Sequence, residues 1–238
     1  MIQAFIFDMD GVIIDSEPIH FEVDLITAKH FGADMTQEDL ERYVGMTNPE
    51  MWRIIREEHN IPHTVEEIIA FQSERKKRRL DEAVIEPIPG IVELLEELRR
   101  HRIAIGLASS SPRSFIEAVL AKFKIRKYFA CVVSGEEMPA GKPAPDIYLE
   151  AARQLHVPPE QCVVLEDSRN GVLAAKRAGM TCIGFANPAS GGQDLSAADR
   201  IVHAISEIKV GHLLNQRMQP SGRGESIRGA DAFSAFDL

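Results

Sequence analysis

The strongest constraint on the fold is a set of short apolar runs that recur along the chain with helix-like segments between them. Ala4-Phe5-Ile6-Phe7 ends in Asp8. Similar runs are Ile103-Ala104-Ile105-Gly106-Leu107-Ala108, Cys131-Val132-Val133, Cys162-Val163-Val164-Leu165 and Thr181-Cys182-Ile183-Gly184-Phe185. Near-continuous apolar runs mark strands buried on both faces. Between them, Ile91–His101 places Ile91, Leu94, Leu95 and Leu98 on one face. Helices are also expected over Arg113–Phe123 after Pro112, over Ile147–Leu155 after Pro145, and over Asn170–Ala178, which stops at Gly179. Strands alternating with helices predict an α/β fold, a Rossmann-like parallel sheet with crossover helices.

Residues 15–86 break the rhythm, because no comparable apolar run occurs there. Helix signals cover Pro18–Phe31, Gln37–Val44, Pro49–His59 and Val65–Ala83. Asn48 with Pro49 reads as a cap and first turn, and Thr64 with Glu67 as a capping box. The expected organisation is a core of residues 1–16 and 87–214, and an inserted helical cap of 17–86. A polar, Gly/Ser-rich flexible tail is expected over 215–238. Hinges are expected near Asp15–Pro18 and Glu86–Gly90. The run Arg75-Lys76-Lys77-Arg78-Arg79 reads as a solvated helix face, or as an attractor of an anionic ligand.

Four strand ends carry chemistry. Asp8-Met9-Asp10-Gly11 sets two carboxylates on one side of an extended chain, with a glycine that lets the backbone approach a ligand. Ser109, Ser110 and Ser111 follow the second run and suit an anion, although serine is also a common helix cap. Lys142 sits in a loop stiffened by Gly141, Pro143 and Pro145. Glu166-Asp167 ends the fourth run. Carboxylates gathered at one edge suit magnesium, which prefers hard oxygen ligands. Each piece alone also reads as an acidic turn, a cap or a surface lysine; their order at successive strand ends makes a site.

These residues resemble the haloacid dehalogenase superfamily, and within it the β-phosphoglucomutase-like phosphatases. The matching pieces are Asp8-Met9-Asp10-Gly11-Val12-Ile13-Ile14-Asp15-Ser16-Glu17, Ala108-Ser109-Ser110-Ser111, Gly141-Lys142-Pro143-Ala144-Pro145-Asp146 and Leu165-Glu166-Asp167-Ser168. The resemblance implies that Asp8 attacks phosphorus to give an aspartyl phosphate, and that Asp10 protonates the leaving oxygen and then activates water. It implies that Ser109 and Lys142 hold phosphoryl oxygens, with Gly11 and Ser110 beside them. Magnesium would sit on Asp8, on Asp10 through its carbonyl, on Asp167 and on Glu166. The second aspartate speaks against dehalogenation, which has no leaving alkoxide to protonate. In the cap, mutases of this group carry a Gly-x-Ser-Arg-Glu stretch whose arginine grips a second phosphate. The corresponding stretch here is Gly45-Met46-Thr47-Asn48-Pro49-Glu50, with Asn48 at the arginine position. Because an amide is a poor substitute for a bidentate guanidinium, hydrolysis of a monophosphate is favoured. His20 matches a mutase hinge residue and keeps the isomerase alternative open. Gly45, Asn48 and His20 are therefore candidate substrate-binding residues.

Composition narrows the partners. The net charge of −9 argues against nucleic acid, while leaving room for local cations to hold one phosphate. No apolar run approaches the roughly 20 residues of a membrane span, and the N-terminus does not read as a signal peptide. Cys131, Cys162 and Cys182 have no CxxC spacing and read as small buried hydrophobes in a reducing compartment. The expectation is a cytoplasmic, monomeric, magnesium-dependent phosphatase of a small phosphorylated metabolite, probing no membrane and no nucleic acid. The alternatives are a β-phosphoglucomutase-type isomerase and a non-catalytic phosphometabolite-binding protein.

Overall fold

The structure is a computed structural model and describes residues 1–43 and 46–215. The expected role of Gly45, and the expected tail apart from Asn215, lie outside the described residues. Six strands form one sheet: β1 (Ala4–Phe7), β2 (Ala104–Ser109), β3 (Cys131–Ser134), β4 (Cys162–Glu166), β5 (Thr181–Phe185) and β6 (Arg200–Val202). All neighbouring pairs are parallel, in the order 3-2-1-4-5-6. The chain walks outward from β1 to β3, then returns to lay β4 beside β1. That reversal creates a crevice at the carboxyl ends of β1 and β4, where open α/β sheets bind ligands. The alternating pleat of β1 feeds two layers. Phe5 and Phe7 pack with α5 (Ile91–Arg100) and α6 (Arg113–Lys122), while Ala4 and Ile6 pack with α7 (Asp146–Leu155) and α8 (Arg169–Arg177). The last helix among the described residues, α9 (Val210–Asn215), adds Val210 and Leu213 to the first layer.

Among the described residues, four helices occupy the insertion: α1 (Glu17–His30), α2 (Gln37–Glu41), α3 (Asn48–Glu58) and α4 (Val65–Glu82). They carry their own apolar cluster around Trp52, Ile55, Ile68, Leu40 and Tyr43. Ile19 of α1 and Leu80 of α4 instead join the cluster beneath the sheet, which roots the insertion at both ends. The two linkers run side by side, with Ile88 N donating to Ile13 O at 2.9 Å. No described helix is long and apolar enough to cross a membrane. The three cysteines are free and buried.

Several details differ from the sequence reading. β6 escapes it because the strand is three residues long, at the sheet edge, and exposed at Arg200 and Ile201. The α2 helix stops at Glu41, short of the expected Val44, which is outside the described residues. The Asn48 side chain is no cap: Thr47 is the N-cap residue and Asn48 is already the first helical position. The basic run is not uniformly solvated, since Lys76 is buried on the face that also buries Ile68, Gln72 and Leu80. The Thr64–Glu67 capping box does form, with both reciprocal bonds made.

Candidate active site

Asp8 directly follows β1, and its N–H donates to Leu165 O at 3.0 Å, so it stands at the crevice beside β4. Its Oδ1 accepts from Lys142 Nζ at 2.9 Å, and the same ammonium donates to Glu166 Oε1 at 2.6 Å. All three side chains are buried. Glu166 Oε1 also accepts from the Tyr148 hydroxyl at 2.7 Å. Its Oε2 accepts from the N–H groups of Asp167 and Ser168 and from Ser168 Oγ, each at 3.0 Å. Gly171 of α8 makes room for this carboxylate, because a Cβ there would lie 1.6 Å from Oε1. Glu166 thus clamps Lys142 against Asp8. The sequence counts it among the metal ligands, and it does lie in the acidic cluster, but protein donors already engage both its oxygens.

Asp10 faces the other way. Its Oδ1 accepts from Ser16 Oγ at 2.5 Å and from His20 Nε2 at 2.9 Å, and its Oδ2 from Ser109 Oγ at 3.1 Å and Ser111 Oγ at 2.8 Å. The imidazole expected to meet substrate therefore holds Asp10, although it also lines the cleft. Ser109 is fully buried, donates its hydroxyl to Asp10 and accepts from Ser111 N at 3.0 Å. Ser110 and Ser111 line the cleft.

The two aspartates are driven in opposite directions. Burial pushes the Asp8 carboxyl up to about 8; the nearby Glu166 and Asp10 charges add to the rise and Lys142 opposes it. Burial also acts to raise Asp10, but the His20 interaction and the Ser16 and Ser111 hydroxyls outweigh it and hold the group well below the carboxylate range. Asp167 is raised well above its ordinary value by burial and by the Glu166 and Asp8 charges. Lys142 is destabilised by burial, yet Asp8 and Glu166 keep it charged, above its usual value.

Asp8, Glu166 and Asp167 offer oxygens that all lie within 4.8 Å of one another. Once ionised, three carboxylates against one ammonium would leave an excess of two negative charges in a buried site, which fits a divalent, oxygen-preferring cation. Asp8 and Asp167 have oxygens to offer it, and the Asp10 carboxylate is not part of the cluster. Gly11, with φ of +73°, sits against this group: a Cβ there would lie 1.9 Å from Asp167 Oδ2.

The cleft extends into the insertion, where Glu17, Phe21, Asp24, Asn48 and Lys76 line it. Lys76 Nζ lies 3.0 Å from Asp24 Oδ1, and Gln72 Nε2 donates to that oxygen at 2.6 Å. Asn48 Nδ2 reaches across to Glu136 Oε1 at 3.2 Å. Sequence reasoning missed the parts played by Ser16, Ser111, Tyr148, Asp24 and Gln72. The first two lie inside quoted motifs, and Tyr148 carried no signal beyond its helix.

The comparisons with known proteins settle the family. The model for haloacid dehalogenase-like hydrolases matches residues 5–185, from β1 through β5. The chain belongs to the haloacid dehalogenase-like hydrolase family. Within the family it is 36% identical over 214 residues to a phosphorylated carbohydrates phosphatase of Thermotoga maritima, covering 90% of this chain and 97% of the relative. It is 36% identical to hexitol phosphatase B of Escherichia coli, covering 76% and 82% of the two chains. A β-phosphoglucomutase from Clostridium difficile superposes with a TM-score of 0.80 at 28% identity, covering 90% and 96%.

Proposed function

We propose that the protein is a magnesium-dependent phosphatase that hydrolyses a small sugar monophosphate through an aspartyl phosphate on Asp8. The observation that carries this reading is what surrounds the two carboxyls at the end of β1: Asp8 is bonded to the Lys142 ammonium within the acidic cluster, and Asp10 to His20 and three serine hydroxyls. The ammonium, with a cation on the cluster, would favour the anionic form of Asp8 that a nucleophile needs. Asp8, steered by Lys142, attacks phosphorus and the bond to the leaving oxygen breaks. Asp10 in its acid form passes a proton to that oxygen, then takes one from the water that attacks the aspartyl phosphate. Three of its four partners are hydroxyls, which can turn from donor to acceptor as the carboxyl gains its proton. Asp8, Asp167 and the Asp10 carbonyl would hold magnesium. When bound, it offsets the repulsion between an anionic nucleophile and an anionic phosphoryl group. Lys142 and the serines after β2 would hold phosphoryl oxygens.

The cleft favours one phosphate over two. Its described lysines are Lys76 and Lys142, each within salt-bridge distance of a carboxylate, and it has no described arginine. Asp24, Asn48 and Lys76 suit the hydroxyls of a sugar or polyol, in keeping with the carbohydrate and hexitol phosphatases among its relatives. Residues 1–16 and 87–214 would act as the core and 17–86 as a cap that closes over the substrate. The enzyme would work as a cytoplasmic monomer.

The likeness to a β-phosphoglucomutase supports a second reading, an isomerase. Both are tested by a panel of hexose and hexitol monophosphates with magnesium, assayed for free phosphate and for isomers by chromatography. Stoichiometric free phosphate supports the hydrolase. Glucose 6-phosphate formed from β-glucose 1-phosphate without phosphate release supports the isomerase.

A further inference from the structure

The sequence motifs use four strand ends, but a fifth reaches the same place. After β5 the chain makes a single tight turn over Pro188–Ser190, begun by Asn187. Asn187 is buried and fixes this turn to the catalytic loop. Its Nδ2 donates to Gly11 O at 2.9 Å and to Asp15 Oδ1 at 2.7 Å, and its Oδ1 accepts from Ala189 N at 2.9 Å. Ser190 N closes the turn on Asn187 O at 3.2 Å.

The turn delivers Ser190, which is 6% exposed; its Oγ makes no hydrogen bond of full geometry, yet it is near enough to act on the Asp167 carboxylate. A buried hydroxyl without a full hydrogen bond is destabilising, so its retention needs a reason. Its position supplies one. The point where Gly11 would carry a Cβ lies 2.6 Å from Ser190 Oγ and 1.9 Å from Asp167 Oδ2, so both oxygens converge over the bare face of Gly11. The hydroxyl is thereby aimed at the carboxylate proposed to hold magnesium.

We propose that Ser190, fixed by Asn187, is a positioning residue of the magnesium site that donates to the Asp167 carboxylate, or to a water carried by the cation, when the site is loaded. This rests on the phosphatase reading above. A carboxylate ligand whose partner is set in advance loses less freedom on binding the cation, and partners of this kind typically change metal affinity by about 10–100-fold.

The test is titration calorimetry of metal-free full-length protein with magnesium, for wild type, S190A and S190T. S190A is expected to bind about tenfold or more weakly. S190T, which keeps the hydroxyl, should stay near wild type, and the metal-free melting temperatures of wild type and S190A should agree. In steady state with p-nitrophenyl phosphate, half-saturating magnesium should rise by the same factor in S190A while KM at saturating magnesium stays put. Magnesium affinity in S190A within about twofold of wild type overturns the proposal. So does weakened binding that travels with a lowered metal-free melting temperature. Wild type that binds no magnesium contradicts the phosphatase reading as well.

Discussion

Gly11 shows how much of the site hangs on a single missing methyl group. Its φ of +73° suits glycine, and an added Cβ would run into Asp167 Oδ2 at 1.9 Å. We expect Gly11→Ala to push Asp167 out of place and lower kcat/KM by about 100-fold or more, since misplacement by an ångström has effects of that order. Initial rates and magnesium titration check this, and near-normal activity would contradict the geometry. Other residues explain what a sequence can and cannot tell. Asp8, Asp10, Lys142 and Asp167 were legible because each sits at or near a strand end and the fold brings strand ends together. Ser190 and Tyr148 were not, because a lone hydroxyl gains meaning only from the group it meets across the sheet. Ser109 was legible as a site residue, yet its hydroxyl points to Asp10 because four donors compete for that one carboxylate.

At the scale of elements, the sheet and most helices could be read because apolar period and caps agree. The α4 helix illustrates both success and failure. Its start was marked by Thr64 and Glu67, and the reciprocal bonds at 3.2 and 2.9 Å are present. Thr64→Ala should destabilise the protein by about 1 kcal/mol, seen as a lower urea midpoint with an unchanged slope. Activity should hold, since Lys76 lies three turns further on. The same helix carries Lys76 inside a basic run, which reads either as a solvated face or as an attractor of an anionic ligand. Its alignment with Ile68, Gln72 and Leu80 at four-residue spacing was the available clue. β6 offered no clue, for three residues, two exposed and one buried, show no usable period.

At the scale of the molecule, the excess acid at the site couples folding, protons and metal. The Asp8 pKa is raised from 3.8 to about 8, so between those values the metal-free folded state keeps a proton that the unfolded chain has released. This group's contribution to stability is complete below its unfolded pKa and is lost as pH rises towards 8; Asp167 acts in the same direction. Lys142, raised from 10.5, and Asp10, lowered from 3.8, change their contributions outside that window. Magnesium needs the deprotonated carboxylates, so it should bind more tightly, and raise the melting temperature further, at about pH 8 than at about pH 6. Calorimetry of wild type and Asp8→Asn with and without magnesium reads this out, and the variant should lose the share of the pH dependence due to Asp8 while keeping that of Asp167. An equal magnesium effect at both pH values would contradict the charge balance described for the site.

The central claim is that Asp8 takes the phosphoryl group. The direct measurement is acid quench of wild type turning over a sugar monophosphate, followed by borohydride reduction and peptide mass mapping. The account predicts conversion of Asp8 alone to homoserine, and no adduct or turnover in Asp8→Asn. Turnover in wild type with the phosphoryl group trapped on another residue, or sustained turnover in Asp8→Asn, would contradict it.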